Sequence, residues 1–330
     1  MRSCARWDLS AVCGRTASVL AALLRGAFVV LLVGGAQAER AAARSCPSLQ
    51  PRAPRYLGPP ARAGVWQPPG LTRCLYLLPA GSRHVHLLWP SVTGGVDWAP
   101  DGRSIVVGDQ AVVVRLGLDG RVWRRYLGRR ASFLRDGGLV VQRRDGLYLF
   151  RGANGARVVS RAALSQAAGM PLRSFSLADY GAAEGAMAPG LVAVQGSGAR
   201  GAALLVVNMA GRIWRAAPFF GRDADGQRRT VGGQAWGPDA RRPTLYLFTT
   251  APDPSGRWDH LHCLALWSPR RGYGQVGSCD FRHFDKLLWA SDGRTARLNS
   301  GEVIDMAGQR RSGPRRLGAA FAITWSPVLR

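Results

Sequence analysis

The stretch Val96-Asp97-Trp98-Ala99-Pro100-Asp101-Gly102-Arg103-Ser104-Ile105-Val106-Val107 decides the fold. It contains a short strand, a tight turn and a second, strongly apolar strand. Asp101 has a short carboxylate that can accept a hydrogen bond from the backbone two residues on, and Gly102 takes a positive φ without a steric penalty. The pattern returns at Trp236-Gly237-Pro238-Asp239-Ala240-Arg241, at Trp289-Ala290-Ser291-Asp292-Gly293-Arg294 and at Trp325-Ser326-Pro327. A period of this kind predicts a repeat architecture, because a single small sheet cannot bury both of its faces alone.

Between these marks the apolar runs are short and fall into groups of four. The first group is Gly94–Trp98, Ser104–Gly108, Ala111–Leu116 and Arg121–Leu127; its turns are Asp101-Gly102, Asp109-Gln110 and Asp119-Gly120. The second has turns at Asp136-Gly137, Asp145-Gly146 and Asn154-Gly155, and such Asp/Asn-Gly pairs are strong hairpin signals. A helical turn is expected at Arg161–Ala168, between the second and third groups. The third group has a long insertion at Ala178–Gly190. Its closing Met209-Ala210-Gly211-Arg212-Ile213-Trp214-Arg215 repeats the character of Leu118-Asp119-Gly120-Arg121-Val122-Trp123-Arg124. Groups four and five cover Val231–Ser278 and Lys286–Leu317. The chain then ends on one opening strand around Trp325, and strands near Cys74 and Trp89 lack an opening strand of their own. A sixth unit assembled from both chain ends would close a ring.

Four-stranded units in series predict an all-β fold, a six-bladed β-propeller of antiparallel blades, over residues 71–330. A β-sandwich is the structural rival, but it gives no reason for the recurring Trp-turn motif. Trp98, Trp236, Trp289 and Trp325 are expected to pack between blades. Asp101, Asp239 and Asp292, with Gly102 and Gly293, are expected to be turn residues rather than catalytic ones. The motif resembles the Trp-Ser-Pro-Asp-Gly repeat of TolB-like (WD-repeat-like) six-bladed propellers. That resemblance covers roughly 71–330 and implies a rigid binding scaffold.

The N-terminus carries an address. The apolar run Gly26–Gly35 follows Arg15 and Arg25 and ends in Ala36-Gln37-Ala38, a small-x-small cleavage pattern. Residues 1–38 are expected to be a signal peptide, an uncleaved anchor being the alternative. Residues 39–70, with Pro51, Pro54, Pro59, Pro60, Pro68 and Pro69, are expected to form an extended arm. The destination is the exterior or the periplasmic cell envelope. Four cysteines remain after the leader, Cys46, Cys74, Cys263 and Cys279, and an even number in an exported chain suggests disulfides. Pairing Cys46 with Cys74 and Cys263 with Cys279 suits their positions; free buried thiols are the bland alternative.

The 330 residues carry a formal net charge of +25, with Lys286 the sole lysine. Such a charge attracts anionic surfaces in general. The arginines are scattered, so a specific nucleic-acid site is not expected. Gly196-Ser197-Gly198-Ala199-Arg200-Gly201 matches G-x-G-x-x-G but precedes a strand-like run, whereas a dinucleotide site needs a following helix. His84 with His86, and His260 with His262, alternate on strands without an accompanying carboxylate pattern; no metal and no cofactor are expected.

The first functional expectation is therefore an exported, monomeric, non-enzymatic binding module for an acidic protein or envelope ligand. Its rim would be Ala178–Gly190, Pro218–Gly232 and Pro252–Asp259, with Arg222, Arg228, Arg229 and Arg257 as contact residues. The alternative is a propeller hydrolase or lyase acting on an extracellular glycan or peptide. A third is a scaffold held at the membrane by an uncleaved leader.

Overall fold

A computed structural model describes residues 46, 64–67, 73–82, 84–177, 190–216, 231–237, 241–251, 261–281, 287–289, 295–298, 303–305, 310–311 and 323–325. The chain divides into two compact units, Met1–Pro47 and Ser48–Arg330. Of the first unit only Cys46, buried and disulfide-bonded, is described. The leader at 1–38 and most of the arm lie outside the described residues. Among the described residues no helix is long and apolar enough to cross a membrane.

The second unit is built from four-stranded antiparallel sheets, six of them among the described residues. The first sheet has the order β24-β1-β2-β3, from β1 (Gly64–Trp66), β2 (Leu75–Leu78), β3 (His86–Trp89) and β24 (Ile323–Trp325). The second is the meander β4 (Val96–Trp98), β5 (Ser104–Asp109), β6 (Val112–Gly117) and β7 (Val122–Leu127). The third comprises β8 (Arg130–Phe133), β9 (Leu139–Arg143), β10 (Gly146–Arg151) and β11 (Asn154–Ser160); α1 (Arg161–Ala168) follows it. The fourth contains β12 (Leu172–Leu177), β13 (Leu191–Gly198), β14 (Gly201–Asn208) and β15 (Ile213–Arg215). The fifth runs through β16 (Val231–Trp236), β17 (Leu245–Ala251), β18 (Leu261–Ser268) and β19 (Gly272–Phe281). The sixth is β20 (Leu287–Trp289), β21 (Thr295–Leu298), β22 (Val303–Asp305) and β23 (Arg310–Arg311).

Local chemistry accounts for the turns. Asp101 accepts from the Arg103 amide at 2.9 Å, and Gly102 takes φ 65°. The same device is used by Asp119 toward Arg121 and by Asp136 toward Gly138, each at 3.0 Å. Asp239, Asp292 and Gly293 lie outside the described residues. Helix α1 forms where the turn was expected. Ser160 caps its first turn by accepting from Ala163, and Gly169 closes it with φ 67°. The G-x-G-x-x-G stretch is the hairpin between β13 and β14, with Gly198 opposite Gly201.

One strand departs from the expected arm. Gly64–Trp66, within the Pro-rich 39–70, forms β1, which pairs with β2 on one side and with β24 on the other. Val65 is buried there. Composition alone disfavoured a ladder, but two waiting edges supply the partners that this short strand needs.

A tryptophan closes the first strand in several sheets, in matching register. Trp98 pairs with Ile105, Trp236 with Leu245 and Trp289 with Ala296; Trp325 of β24 pairs with Gly64. Trp98 is 0% exposed and packs among Val65, Leu75, Leu77 and Trp89 of the first sheet and Ile105, Val107, Val114 and Leu116 of its own. Its cluster draws on two sheets. Trp236 is also buried. The Trp289 and Trp325 side chains lie outside the described residues.

Buried polar groups join the sheets as well. The Asp97 carboxylate on β4, 3% exposed, accepts from Ser132 Oγ at 3.0 Å and from the Phe133 amide at 2.7 Å, both on β8. Its other oxygen accepts from the Trp98 amide at 2.9 Å. Gln142 on β9 repeats this between the third and fourth sheets. Its Nε2 donates to Phe175 O at 2.6 Å, and its Oε1 accepts from the Leu177 amide at 3.1 Å. Each link satisfies donors and acceptors that are cut off from water.

Tyr246 on β17 gives the fold an alkaline limit. Burial of its ring disfavours the phenolate and pushes the pKa up from 10.0 to about 12. A folded-state pKa above the unfolded one contributes stability that is complete below pH 10 and is lost as pH rises from 10 through 12. Unfolding free energy should fall by roughly 3 kcal/mol across that window from this residue. Urea titrations from pH 9 to 12 should show the slope, and Tyr246→Phe should flatten it; an unchanged slope would refute the assignment.

Candidate functional site

The strongest surface feature is β7. Of five exposed large apolar residues among the described residues, three lie on this strand: Val122 at 40%, Trp123 at 51% and Leu127 at 70% exposure. β7 is the outermost strand of its sheet, and among the described strands its ladder partner is β6. Its sequence, Val122-Trp123-Arg124-Arg125-Tyr126-Leu127, contains no carboxylate.

The turn before β7 sets its geometry. The Gly117 amide donates to Arg121 O, the Gly120 amide to Gly117 O, and Gly120 takes φ 79°. The register then shifts: Leu116 faces Val122 while Arg115 faces Arg124, so Trp123 has no partner across the ladder. Such a bulge re-aims a side chain on an edge strand. Trp123 swings onto Arg115, whose guanidinium carbon lies 5.2 Å from its ring centre and 5.3 Å from that of Phe133. Arg115 Nε donates to the buried Ser104 Oγ at 3.0 Å. Two rings and one hydroxyl thus hold a half-buried cation in a fixed orientation.

The neighbouring arginines connect sheets. Arg124 stacks on Tyr126 and donates to Gly152 O at 2.8 Å and Ala153 O at 3.0 Å, in the turn between β10 and β11. Arg143 lies 4.3 Å from the Tyr148 ring centre, stacks on Phe150 and donates to Leu127 O at 3.1 Å. Tyr126 and Phe150 meet edge-on at 4.9 Å. Arg125 sits over Trp89 of the first sheet. Part of the arginine excess is therefore structural: planar guanidiniums fill the seams between sheets, where an ammonium would not stack. Carboxylates near this surface are few and exposed. Asp119 pairs with Arg121 at 3.4 Å. Asp136 is held below the usual carboxylate range, first by the Gly138 amide and then by Arg151. Asp145 is likewise held down, chiefly by the Tyr148 hydroxyl.

Sequence reasoning placed the contact arginines elsewhere. Arg222, Arg228, Arg229 and Arg257 lie outside the described residues, but the strands that flank them are described. In a four-stranded meander the second turn and the links to neighbouring sheets share one end, and the first and third turns share the other. The segment between β15 and β16 and the segment between β17 and β18 therefore leave from one end of the fifth sheet. The three expected rim loops lie outside the described residues apart from Gly190, Val231 and Gly232. β7 was passed over because a strand of mixed apolar and basic residues looks like any outer strand. The signal available was its pairing of exposed apolar residues with arginines.

Cys74 and Cys263 are buried and disulfide-bonded, which fits an oxidising compartment. Cys263 lies on β18 and Cys279 on the adjoining β19; the Cys279 side chain lies outside the described residues. A groove of about 680 Å³ runs beside α1. Its cation, Arg161, is committed to Leu172 O and Arg173 O.

No family model matches the chain, and no curated protein does. Solved structures do. TolB from Acinetobacter baumannii is similar at 12% identity over 82% of this chain and 68% of its own, with a TM-score of 0.44. A gluconolactonase from Xanthomonas campestris is similar at 17% identity over 82% and 90%, TM-score 0.44. The β-propeller domain of the Trilobed protease from Pyrococcus furiosus is similar at 10% over 72% and 69%, TM-score 0.42. Likenesses of this degree carry no argument about activity.

Proposed function

We propose that this chain is an exported, non-enzymatic β-propeller of six blades, closed through β24 and β1, that binds an acidic protein or cell-envelope ligand. The serial four-stranded sheets and the pairing of the last described strand with the first support the ring. The observation that carries the binding reading is β7, where exposed apolar side chains adjoin arginines on a strand without a carboxylate. Disulfide-bonded cysteines support export. N-terminal sequencing of the exported chain should begin at Glu39; an intact leader in the membrane fraction would indicate an anchored scaffold instead.

The test of binding is calorimetric. The chain from Glu39 is titrated with polyglutamate, polygalacturonate and neutral dextran, at low ionic strength and at about 0.15 M salt, where screening acts within roughly 8 Å. Saturable binding of one polyanion that persists at the higher salt supports the reading. Equal attraction to both polyanions that vanishes with salt means that net charge alone acts, and the reading fails.

A further inference from the structure

We infer that the end of the sheets where their third turns lie docks on an anionic lipid surface, with aromatic side chains set among the headgroups. This rests on the binding-module reading, with its ring, and names the ligand as lipid. Four of the five exposed large apolar residues among the described residues stand first or second in the last strand of a sheet. They are Leu87 in β3, Val122 and Trp123 in β7, and Tyr273 in β19. Trp214, half-buried, holds the second place in β15. In three of these strands an arginine stands two residues before the ring: Arg121-Val122-Trp123, Arg212-Ile213-Trp214 and Arg271-Gly272-Tyr273. Each strand follows the third turn of its sheet, and contacts between sheets bring such turns together. Arg124, next to Trp123, donates to Gly152 O and Ala153 O in the third turn of the third sheet. Trp214 meets Trp267 edge-on at 6.1 Å, and Trp267 faces Tyr273 across the ladder beside the third turn of the fifth sheet. An aromatic row thus runs from the fourth sheet into the fifth.

The cations beside these rings are uncommitted. Arg212 lies over the Trp214 ring at 4.8 Å, and Arg270 and Arg271 are exposed in the turn before Tyr273. None of the three guanidiniums makes a hydrogen bond or an ion pair with the described residues. The first turns lie at the same end and add Arg103 and Arg135, exposed and equally unengaged through their side chains. Arg121, paired with Asp119, is left out of this set. Free guanidiniums of this kind pair with headgroup phosphates through two parallel hydrogen bonds. A soluble peptide or glycan would reach one of these places at a time, whereas a flat surface engages rings and cations on several sheets at once. Leu87 and Val122 offer nothing to a sugar or a phosphate. They suit the boundary between headgroups and acyl chains, where tryptophan and tyrosine also settle with an apolar body and a polar tip.

The experiment uses the chain from Glu39, so that no apolar leader enters the bilayer. It is mixed at physiological salt with vesicles of phosphatidylglycerol and phosphatidylcholine, or of phosphatidylcholine alone. Co-sedimentation with the anionic vesicles only is expected, and brominated acyl chains should quench tryptophan fluorescence, less so in Trp123→Ala. Trp123→Ala and Tyr273→Ser should each weaken vesicle binding at least about five-fold, because part of a large apolar side chain no longer leaves water. Circular dichroism and the unfolding midpoint of both variants should stay unchanged. Arg270→Glu with Arg271→Glu should abolish binding. Arg144→Glu with Arg200→Glu makes the same change of net charge in second turns, at the other end of the sheets, and should leave binding largely intact. Equal losses from the two charge-reversed pairs would mean that net charge alone acts, and would overturn the proposal. Absence of quenching, or equal binding to the neutral vesicles, also overturns it, as does failure to bind vesicles at all. In that last case the calorimetric titrations separate the two readings: a polyanion that binds saturably there keeps the binding module and removes the lipid, and none removes both.

Discussion

Trp98→Ala should lower the unfolding free energy by about 3–5 kcal/mol, the range for emptying a fully buried tryptophan site. The side chain is 0% exposed and packs against residues of two sheets, so the void opens at their junction rather than inside one blade. Such a site collapses poorly, because each sheet's own ladder resists moving toward the other. At roughly 2–4 °C per kcal/mol for a domain of this size, the melting temperature should fall by about 6–20 °C. Differential scanning calorimetry checks it. A shift under a few degrees would mean that the junction is not held by this residue. Trp98→Phe, which keeps most of the volume, should recover more than half of the loss.

Asp97→Ala, one residue earlier, should cost about 2–4 kcal/mol for a different reason. Removing the carboxylate strands the Ser132 hydroxyl and the Phe133 amide in a buried site, at about 1–3 kcal/mol for each unpaired group. The loss is moderated because a buried charge is removed with it. Asp97→Asn keeps the shape but must turn its NH2 either toward both of these donors or toward the Trp98 amide, so it should fall between the wild type and alanine. The discriminating measurement is a double-mutant cycle. Ser132→Ala should cost much less in the Asp97→Ala background than alone, because its partner has already gone. Additive losses would show that Asp97 does not join β4 to β8.

These two neighbours differ in how far their roles can be foreseen. Trp98 belongs to a repeated word, and repetition of an aromatic at fixed distance before a turn already implies packing between repeats. Asp97 belongs to no repeat; the matching positions before Trp236, Trp289 and Trp325 are Ala235, Leu288 and Thr324. As a lone acid on a short strand it suggests a solvated position. Only the approach of β8, which brings an amide and a hydroxyl to it, makes it a buried acceptor. Gln142 was missed in the same way. The arginines show the reverse error: read as a diffuse surface charge, two prove to stack across sheets, Arg115 on Phe133 and Arg125 on Trp89.

Residues close in sequence settled what depends on local chemistry. Asp101-Gly102 makes its turn because a carboxylate reaches two residues on and a glycine accepts φ 65°, and both facts are contained in the dipeptide. The same holds for α1, whose Ser160 and Gly169 caps lie within a turn of its ends. Pairing across the chain was not contained there. Gly64–Trp66 becomes a strand because β24, from the far end, lies beside it. Trp123 becomes a surface feature because a one-residue register shift against β6 turns it outward onto Arg115. Hydrogen-bond ladders and ring stacking act over a few ångströms between segments of any separation. Their outcome is fixed only when the tertiary fold brings those segments together.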